Sequence, residues 1–192
     1  MDLSPGLRAA DPGPGGKADR PDIVLWSTHF LNEPPHTGKP VPWHQDLPYW
    51  NVEGELSGGL WIPFDDVADD NGTMSILPGL HLKELPRRRS SDELFIEEID
   101  PSHLPDDIAG ARVEYLLEAG QLAVHHTLVP HSSTPNSTDR WRRVLVLRYM
   151  AASGTAGPKQ YEDYRNGEKF AREPFLVRGA DVNNQGFRPS PF

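Results

Sequence analysis

The chain has 192 residues, of which 36% are hydrophobic, and a formal net charge of −9 at pH 7. The length predicts one domain, and the negative charge argues against nucleic acid and anionic membranes as partners. There is no cysteine, which excludes disulfides and thiolate metal sites. No apolar run approaches the roughly 20 residues of a membrane span, and no signal peptide is recognisable, so we expect a cytoplasmic protein.

The first predicted strand follows an irregular N-terminal arm. Residues 1–22 are rich in proline and glycine and lack apolar periodicity, which indicates a disordered or loosely attached arm. The first strand begins at Ile23 and extends as far as Phe30. Four prolines between residues 32 and 42 then predict a loop.

Turn signals separate the remaining predicted strands. Asn71-Gly72 predicts a hairpin, and Pro63 indicates an edge strand or a bulge. Loops and one short helix are expected over residues 79–112. The C-terminal extension, residues 153–192, is polar and is predicted to be mostly loop, with a helical turn at 161–170. Further strands are predicted at 60–64, 74–78, 113–117, 121–126 and 144–150.

This pattern of seven or eight short strands predicts an all-β core over residues 23–152. The 20 prolines and 17 glycines make up about a fifth of the chain, which is below the roughly 25–30% that signals disorder. Short strands with frequent turns and little helix are typical of a sandwich or a barrel. The interior of a small barrel can hold one ligand, so side chains from distant strands can converge there.

A His-x-Asp pair at His44 and Asp46 is the first candidate for chemistry. In a strand, side chains two residues apart lie on the same face, whereas Gln45 points away. An imidazole and a carboxylate supply two of the three ligands in the facial triad that holds non-haem Fe(II). We therefore predict a metal site and expect a second histidine to complete it.

His131 is the preferred third ligand, with His125 and His126 as alternatives. Arg142 follows His131 by 11 residues with a turn between them, which predicts adjacent antiparallel strands. A 2-oxo acid chelates iron through one end, and the far carboxylate of 2-oxoglutarate needs a cation inside an apolar barrel. The planar fork of an arginine suits that role, and Arg142 is preferred to Arg143.

The chain resembles the phytanoyl-CoA dioxygenase family of Fe(II)/2-oxoglutarate oxygenases over roughly residues 23–152. The resemblance is carried by an ordered set of motifs, which are Pro42-Trp43-His44-Gln45-Asp46, Leu60-Trp61-Ile62-Pro63-Phe64-Asp65-Asp66-Val67, Asn71-Gly72, Leu77-Pro78-Gly79-Leu80-His81, His131-x-Ser133-x-Pro135-Asn136-x-x-x-Arg140-x-Arg142 and Leu147-Arg148-Tyr149.

The resemblance implies a double-stranded β-helix, or jelly-roll, fold. It places His44, Asp46 and His131 at the iron-ligand positions, Arg142 at the 2-oxoglutarate position, and Trp61 and Ser133 beside that cosubstrate. It further implies an O2-dependent hydroxylase that acts on an unidentified small-molecule substrate and forms succinate and CO2. Asp46 is consistent with this, because a small residue replaces the carboxylate in the related halogenases.

A second reading is a truncated or degenerate, cupin-like metal-binding protein without turnover. Members of the family usually carry a long, largely helical N-terminal region, whereas only about 22 residues precede Ile23 here. A wall of the substrate pocket and a second cation for 2-oxoglutarate are expected to belong to that region. The two readings differ in whether the site decarboxylates 2-oxoglutarate.

Overall fold

The computed structural model of the chain describes residues 22–50, 52–53, 57–91, 97–156, 160–162, 167–171 and 173–191. The predicted N-terminal arm lies outside the described residues except for Asp22, and so does part of the helical turn predicted at 161–170.

Strands dominate the described residues, and the helices are short. The two α-helices are α1 (Leu47–Trp50) and α2 (Ile108–Ala111), and Pro101–His103 forms a 3-10 turn. The strands are β1 (Ile23–Glu33), β2 (Val41–His44), β3 (Val52–Glu53), β4 (Ser57–Pro63), β5 (Met74–Ile76), β6 (Arg87–Arg89), β7 (Glu97–Ile99), β8 (Val113–Glu114), β9 (Ala123–His126), β10 (His131–Ser133), β11 (Arg142–Ala151), β12 (Thr155–Ala156), β13 (Gln160–Glu162), β14 (Lys169–Ala171), β15 (Phe175–Arg178) and β16 (Arg188–Pro189).

Two sheets form the frame of the molecule. The larger sheet has six strands in the order β16-β15-β1-β11-β4-β9, and the smaller has four in the order β2-β10-β5-β8. β1 and β11 are antiparallel from Ile23 opposite Ala151 to Glu33 opposite Arg142, with a bulge between Leu25 and Ser27. Because β1, β4, β9 and β11 belong to the larger sheet and β2, β5, β8 and β10 to the smaller, residues far apart in sequence come to face one another.

The space between the sheets contains the apolar core. Buried residues alternate with more exposed ones along β4 and along the first half of β11, as expected for strands with one covered face. One core cluster joins Trp61 of β4, Met74 of β5, and Val144 and Val146 of β11. These observations confirm the predicted all-β, jelly-roll fold.

The predicted hairpin at Asn71-Gly72 is wrong. β4 and β5, which flank it, belong to different sheets, so the segment crosses between sheets. The Asn71 side chain is fully buried, donates to the carbonyl of Asp66 and accepts from the amide of Ala68, and Gly72 has a φ of 87°. Asn-Gly therefore supplies the positive φ that a tight turn needs, but this local preference does not select the strand partner.

Asp46 does not lie on the strand predicted to carry it. β2 ends at His44, and Asp46 occupies the bend before α1. The backbone amides of Asp46 and Leu47 both donate to the carbonyl of Thr127, which turns the chain away from β10. Pro48 fits the first turn of α1, where an amide hydrogen is not needed. The sequence thus identified the residue but assigned it to the wrong element.

Three further expectations also differ from the structure. β4 lies inside the larger sheet, so Pro63 is not on an edge strand; it ends β4, beyond the residues that pair with β9. Residues 79–112 contain the hairpin of β6 and β7 as well as a short helix. In the C-terminal extension, β13 and β14 pair with each other where a helical turn was predicted at 161–170, and β15 pairs with the edge of β1. These pairings depend on tertiary contacts that local propensity does not encode.

Candidate metal centre and its cavity

The structure brings His44, Asp46 and His131 together on one wall of the barrel. His44 ends β2 and is the register partner of His131 at the start of β10, and their ring centroids are 4.1 Å apart. Oδ1 of Asp46 lies 3.7 Å from Nε2 of each histidine. All three ligand atoms lie within 4.8 Å of one another. This spacing suits donors that each bind a shared ion at about 2 Å after a small adjustment.

Backbone carbonyls fix which nitrogen of each imidazole faces the centre. Nδ1 of His44 lies 2.9 Å from the carbonyl of Pro42, and Nδ1 of His131 lies 2.9 Å from the carbonyl of Val129. A ring nitrogen that donates to a carbonyl carries the proton, so the lone pair is left on Nε2. Both lone pairs therefore point towards Asp46, as in a preorganised metal site.

The electrostatics keep these groups in their metal-binding protonation states. Burial, assisted by the nearby His131, lowers the pKa of His44 to about 3, so its imidazole is neutral at pH 7. Burial acts to raise the pKa of Asp46, but the nearby His131 and Arg148 outweigh it and the pKa is lowered. A neutral imidazole and an ionised carboxylate are the forms that bind a divalent ion.

Arg148 contacts the other oxygen of Asp46, a contact that sequence reasoning missed. Its Nε lies 3.6 Å from Oδ2 of Asp46, while Oδ1 faces the histidines. The Arg148 guanidinium lies 5.1 Å from the ring centre of Trp50, and Trp50 stacks on Trp26 with centroids 5.1 Å apart. Arg148 therefore places a positive charge beside the carboxylate, without a hydrogen bond from Nε. The sequence did contain a signal for this contact. Arg148 lies an even number of residues after Arg142 in a predicted strand, so both side chains are expected on the same face.

The two alternative histidines have other partners. The ring of His125 lies 5.2 Å from that of His131, and its Nδ1 is 3.2 Å from the hydroxyl of Tyr115. Nδ1 of His126 accepts from the backbone amide of Leu128. Within the described residues, neither belongs to the set of ligand atoms that converge with Asp46.

Arg142 points into the barrel and Arg143 points out of it. Arg142 is 4% exposed and its guanidinium lies 5.9 Å from the ring centre of Trp61. Arg143 pairs on the outer surface with both carboxylate oxygens of Asp65. The strand prediction for Arg142 was wrong in one respect, because β10 and β11 are in different sheets. Arg142 therefore approaches the site from the sheet that does not contain His131.

One cavity joins these features. It has a volume of about 690 Å³, within the usual range for a small-molecule site, and draws its walls from both sheets. All six residues singled out from the sequence line it, and they are His44, Asp46, Trp61, His131, Ser133 and Arg142. Glu33 and Arg148 line it as well; Glu33 was not anticipated, because its partner Arg142 is distant in sequence.

The metal-free protein is expected to lose stability as the pH falls from 6.5 to 5. Burial lowers the pKa of His44 and of His125 to about 3, whereas a histidine in the unfolded chain titrates near 6.5. Between these values the unfolded chain binds more protons, so acidification favours unfolding. Each imidazole should cost about 2 kcal/mol over that interval.

Urea unfolding at pH 6.5 and 5 measures this effect. His125→Asn should remove about half of the pH dependence, and His103→Asn, a change at an exposed histidine, should leave it intact. Equal unfolding free energies at the two pH values would contradict the burial of neutral imidazoles.

Within the described residues, no helix is long and apolar enough to cross a membrane.

Comparisons with known proteins identify the family of the chain. Residues 16–144 match the family model for phytanoyl-CoA dioxygenase (PhyH). A protein of Stutzerimonas stutzeri, named "Probable alpha-ketoglutarate-dependent hypophosphite dioxygenase", is 31% identical over 71% of this chain and 49% of its own length. The chain spans about half the length of the curated relatives that it matches.

Solved structures extend the likeness to the fold. The apo structure of the non-heme monooxygenase ThoJ is 33% identical, with a TM-score of 0.68 over 88% of this chain and 57% of the other. EvdO2 of Micromonospora carbonacea var. aurantiaca, complexed with 2-oxoglutarate, is 26% identical, with a TM-score of 0.55 over 77% of this chain and 58% of the other. From the match over 16–144 and these relatives, the chain belongs to the phytanoyl-CoA dioxygenase family.

Proposed function

We propose that the chain is an Fe(II)- and 2-oxoglutarate-dependent oxygenase that hydroxylates a small-molecule substrate. The observation that carries this proposal is the convergence of His44, Asp46 and His131 within 4.8 Å, on the wall of a cavity that also contains Arg142. Two imidazoles and one carboxylate are the donor set of non-haem Fe(II) oxygenases and leave coordination positions open. The names of the relatives support the same class.

The residues of the chain have separate tasks in this proposal. His44, Asp46 and His131 hold the ion, and the carbonyls of Pro42 and Val129 fix the two imidazoles. Arg148 holds the oxygen of Asp46 that faces away from the histidines. Arg142, Trp61 and Ser133 line the part of the cavity assigned to 2-oxoglutarate.

Fe(II) and 2-oxoglutarate would supply the oxidation itself. Bound Fe(II) and 2-oxoglutarate together couple the use of O2, with loss of CO2 and formation of succinate, to oxidation of a substrate C–H bond. The chain contributes the residues that would hold and orient these groups. The cavity volume of about 690 Å³ fits a small molecule, and the substrate class is therefore proposed no more narrowly than that.

An anaerobic titration tests the proposal. Purified apoprotein is loaded with Fe(II), 2-oxoglutarate is added, and the visible spectrum is followed for the weak charge-transfer band of an iron-chelated 2-oxo acid. We expect a saturable band, followed on admission of O2 by succinate. Protein that binds iron but gives neither band nor succinate would contradict the proposal.

One observation favours a second function, a metal-binding protein without turnover. The guanidinium of Arg142, the proposed partner of 2-oxoglutarate, is already paired with Glu33. In that case iron would bind with no change on addition of 2-oxoglutarate. The same titration therefore separates the two functions.

A further inference from the structure

Glu33 and Arg142 form a buried ion pair inside the cavity. They are the last residue of β1 and the first of β11, and they are register partners. Nη2 of Arg142 lies 2.5 Å from Oε1 of Glu33, and the two side chains are 5% and 16% exposed. Both line the cavity that contains the candidate metal ligands. The carboxylate of Glu33 is thus already paired with Arg142, the cation that we assign to the far carboxylate of the cosubstrate.

The ion pair is only partly satisfied. Among the described residues, Oε2 of Glu33 and Nε of Arg142 are buried side-chain atoms without a hydrogen-bond partner. Burial raises the pKa of Glu33 even though Arg142 lies beside it, so the pair offsets only part of the desolvation cost. Glu33 is therefore held at Arg142 by a contact weaker than a bidentate one.

The backbone of Gly72 leaves just enough room for this arrangement. A Cβ at Gly72 would lie 2.3 Å from Oε2 of Glu33 and 3.2 Å from Nε of Arg142. Gly72 also has a φ of 87°, which disfavours any residue with a side chain. The crossover between the sheets therefore packs closely against the pair and limits where the Glu33 carboxylate can go.

The charges in the cavity determine how the Glu33–Arg142 pair affects the binding of a dicarboxylate. Arg142 and Glu33 together are neutral, and the second arginine in the described cavity wall, Arg148, already faces Asp46. A dicarboxylate that places its far carboxylate at Arg142 brings a second negative charge into the same buried space. Like charges in such a space strongly disfavour binding unless one of them withdraws.

We propose that Glu33 determines cosubstrate specificity, because its carboxylate competes with the far carboxylate of 2-oxoglutarate for Arg142. This inference rests on the proposed function. Its consequence is weak discrimination between 2-oxoglutarate and a 2-oxo acid of the same length without the far carboxylate, 2-oxopentanoate. A residue that merely oriented Arg142 would have the opposite effect and would strengthen the preference for 2-oxoglutarate.

Anaerobic binding titrations of the full chain loaded with Fe(II) test this inference. The dissociation constants of 2-oxoglutarate and 2-oxopentanoate are measured for the wild type, Glu33→Gln and Asp70→Asn, from the charge-transfer band and by calorimetry. Glutamine keeps the shape of Glu33 and an oxygen that accepts from Arg142. Asp70→Asn removes a carboxylate from the exposed pair with Arg140, outside the cavity wall, and is the matched control.

Wild-type protein should bind the two acids with dissociation constants within about tenfold of each other, and Glu33→Gln should tighten 2-oxoglutarate alone by about tenfold or more. Asp70→Asn should match the wild type. An unchanged or weaker affinity for 2-oxoglutarate in Glu33→Gln would overturn the inference. The inference would also be overturned if the wild type bound 2-oxoglutarate more than about a hundredfold more tightly than 2-oxopentanoate. This second test uses the wild type alone and does not depend on the folding of a variant. If neither acid bound to the iron-loaded wild type or to iron-loaded Glu33→Gln, the proposed function would be overturned as well.

Discussion

Asp46→Ala should eliminate both the retention of Fe(II) and the formation of succinate. Asp46 supplies the only carboxylate among the three converging groups of the described centre, and its Oδ1 lies between the two Nε2 atoms. Without it, two imidazoles remain and the Arg148 cation loses its carboxylate contact, which leaves uncompensated positive charge beside the ion. We expect turnover to fall by about a thousandfold or more, since a metal contributes several kcal/mol to such a reaction.

The measurement is iron content after dialysis, together with succinate released per enzyme. His44→Ala should have the same effect through loss of one imidazole. Asp139→Ala, which removes an exposed carboxylate paired with His36, should retain iron and activity. Succinate formation that survives in both Asp46→Ala and His44→Ala would contradict the assignment of the centre.

Arg142→Met should unfold the protein more easily and prevent 2-oxoglutarate binding. The variant leaves the Glu33 carboxylate buried without its partner, and breaking a buried pair in this way costs about 3–5 kcal/mol. The neighbouring Arg143→Met removes an exposed pair with Asp65 and should cost about 1 kcal/mol or less. Urea unfolding of the metal-free proteins compares the two variants directly.

A double variant separates stability from binding. Glu33→Gln combined with Arg142→Met should recover most of the lost unfolding free energy, because neither buried charge remains. It should still fail to bind 2-oxoglutarate in the anaerobic titration. Recovery of the charge-transfer band in the double variant would show that Arg142 is not the partner of the cosubstrate.

The pairing of His44 with Asp46 as candidate ligands could be predicted from the sequence because the relevant information is local. Two groups separated by one residue remain near each other in a strand or in a bend, so His44 and Asp46 converge even though Asp46 lies outside β2. The choice of Arg142 over Arg143 rested on the alternation of a half-buried strand, and β11 follows it. The Gly72 conformation was equally readable, since Asn-Gly favours a positive φ.

The contacts across the barrel could not be predicted in this way. Local turn preference made Asn71-Gly72 a hairpin and placed His131 and Arg142 on adjacent strands, whereas the chain crosses between sheets at both points. A turn signal specifies backbone dihedral angles but not the strand that is paired next. The strands of the C-terminal extension were missed for the same reason, because the edge of β1 that pairs with β15 is 150 to 155 residues away in sequence.

The sequence by itself determined the all-β class, the His-x-Asp pair among the candidate metal donors and the arginine that faces the cavity, because periodicity and residue chemistry act over a few residues. Only the tertiary structure decided that Glu33 meets Arg142 and that Arg148 meets Asp46. Both contacts depend on the register of β1 against β11 and on the approach of the two sheets. Register is set by the burial of whole strand faces, a property of the assembled core that no short segment carries.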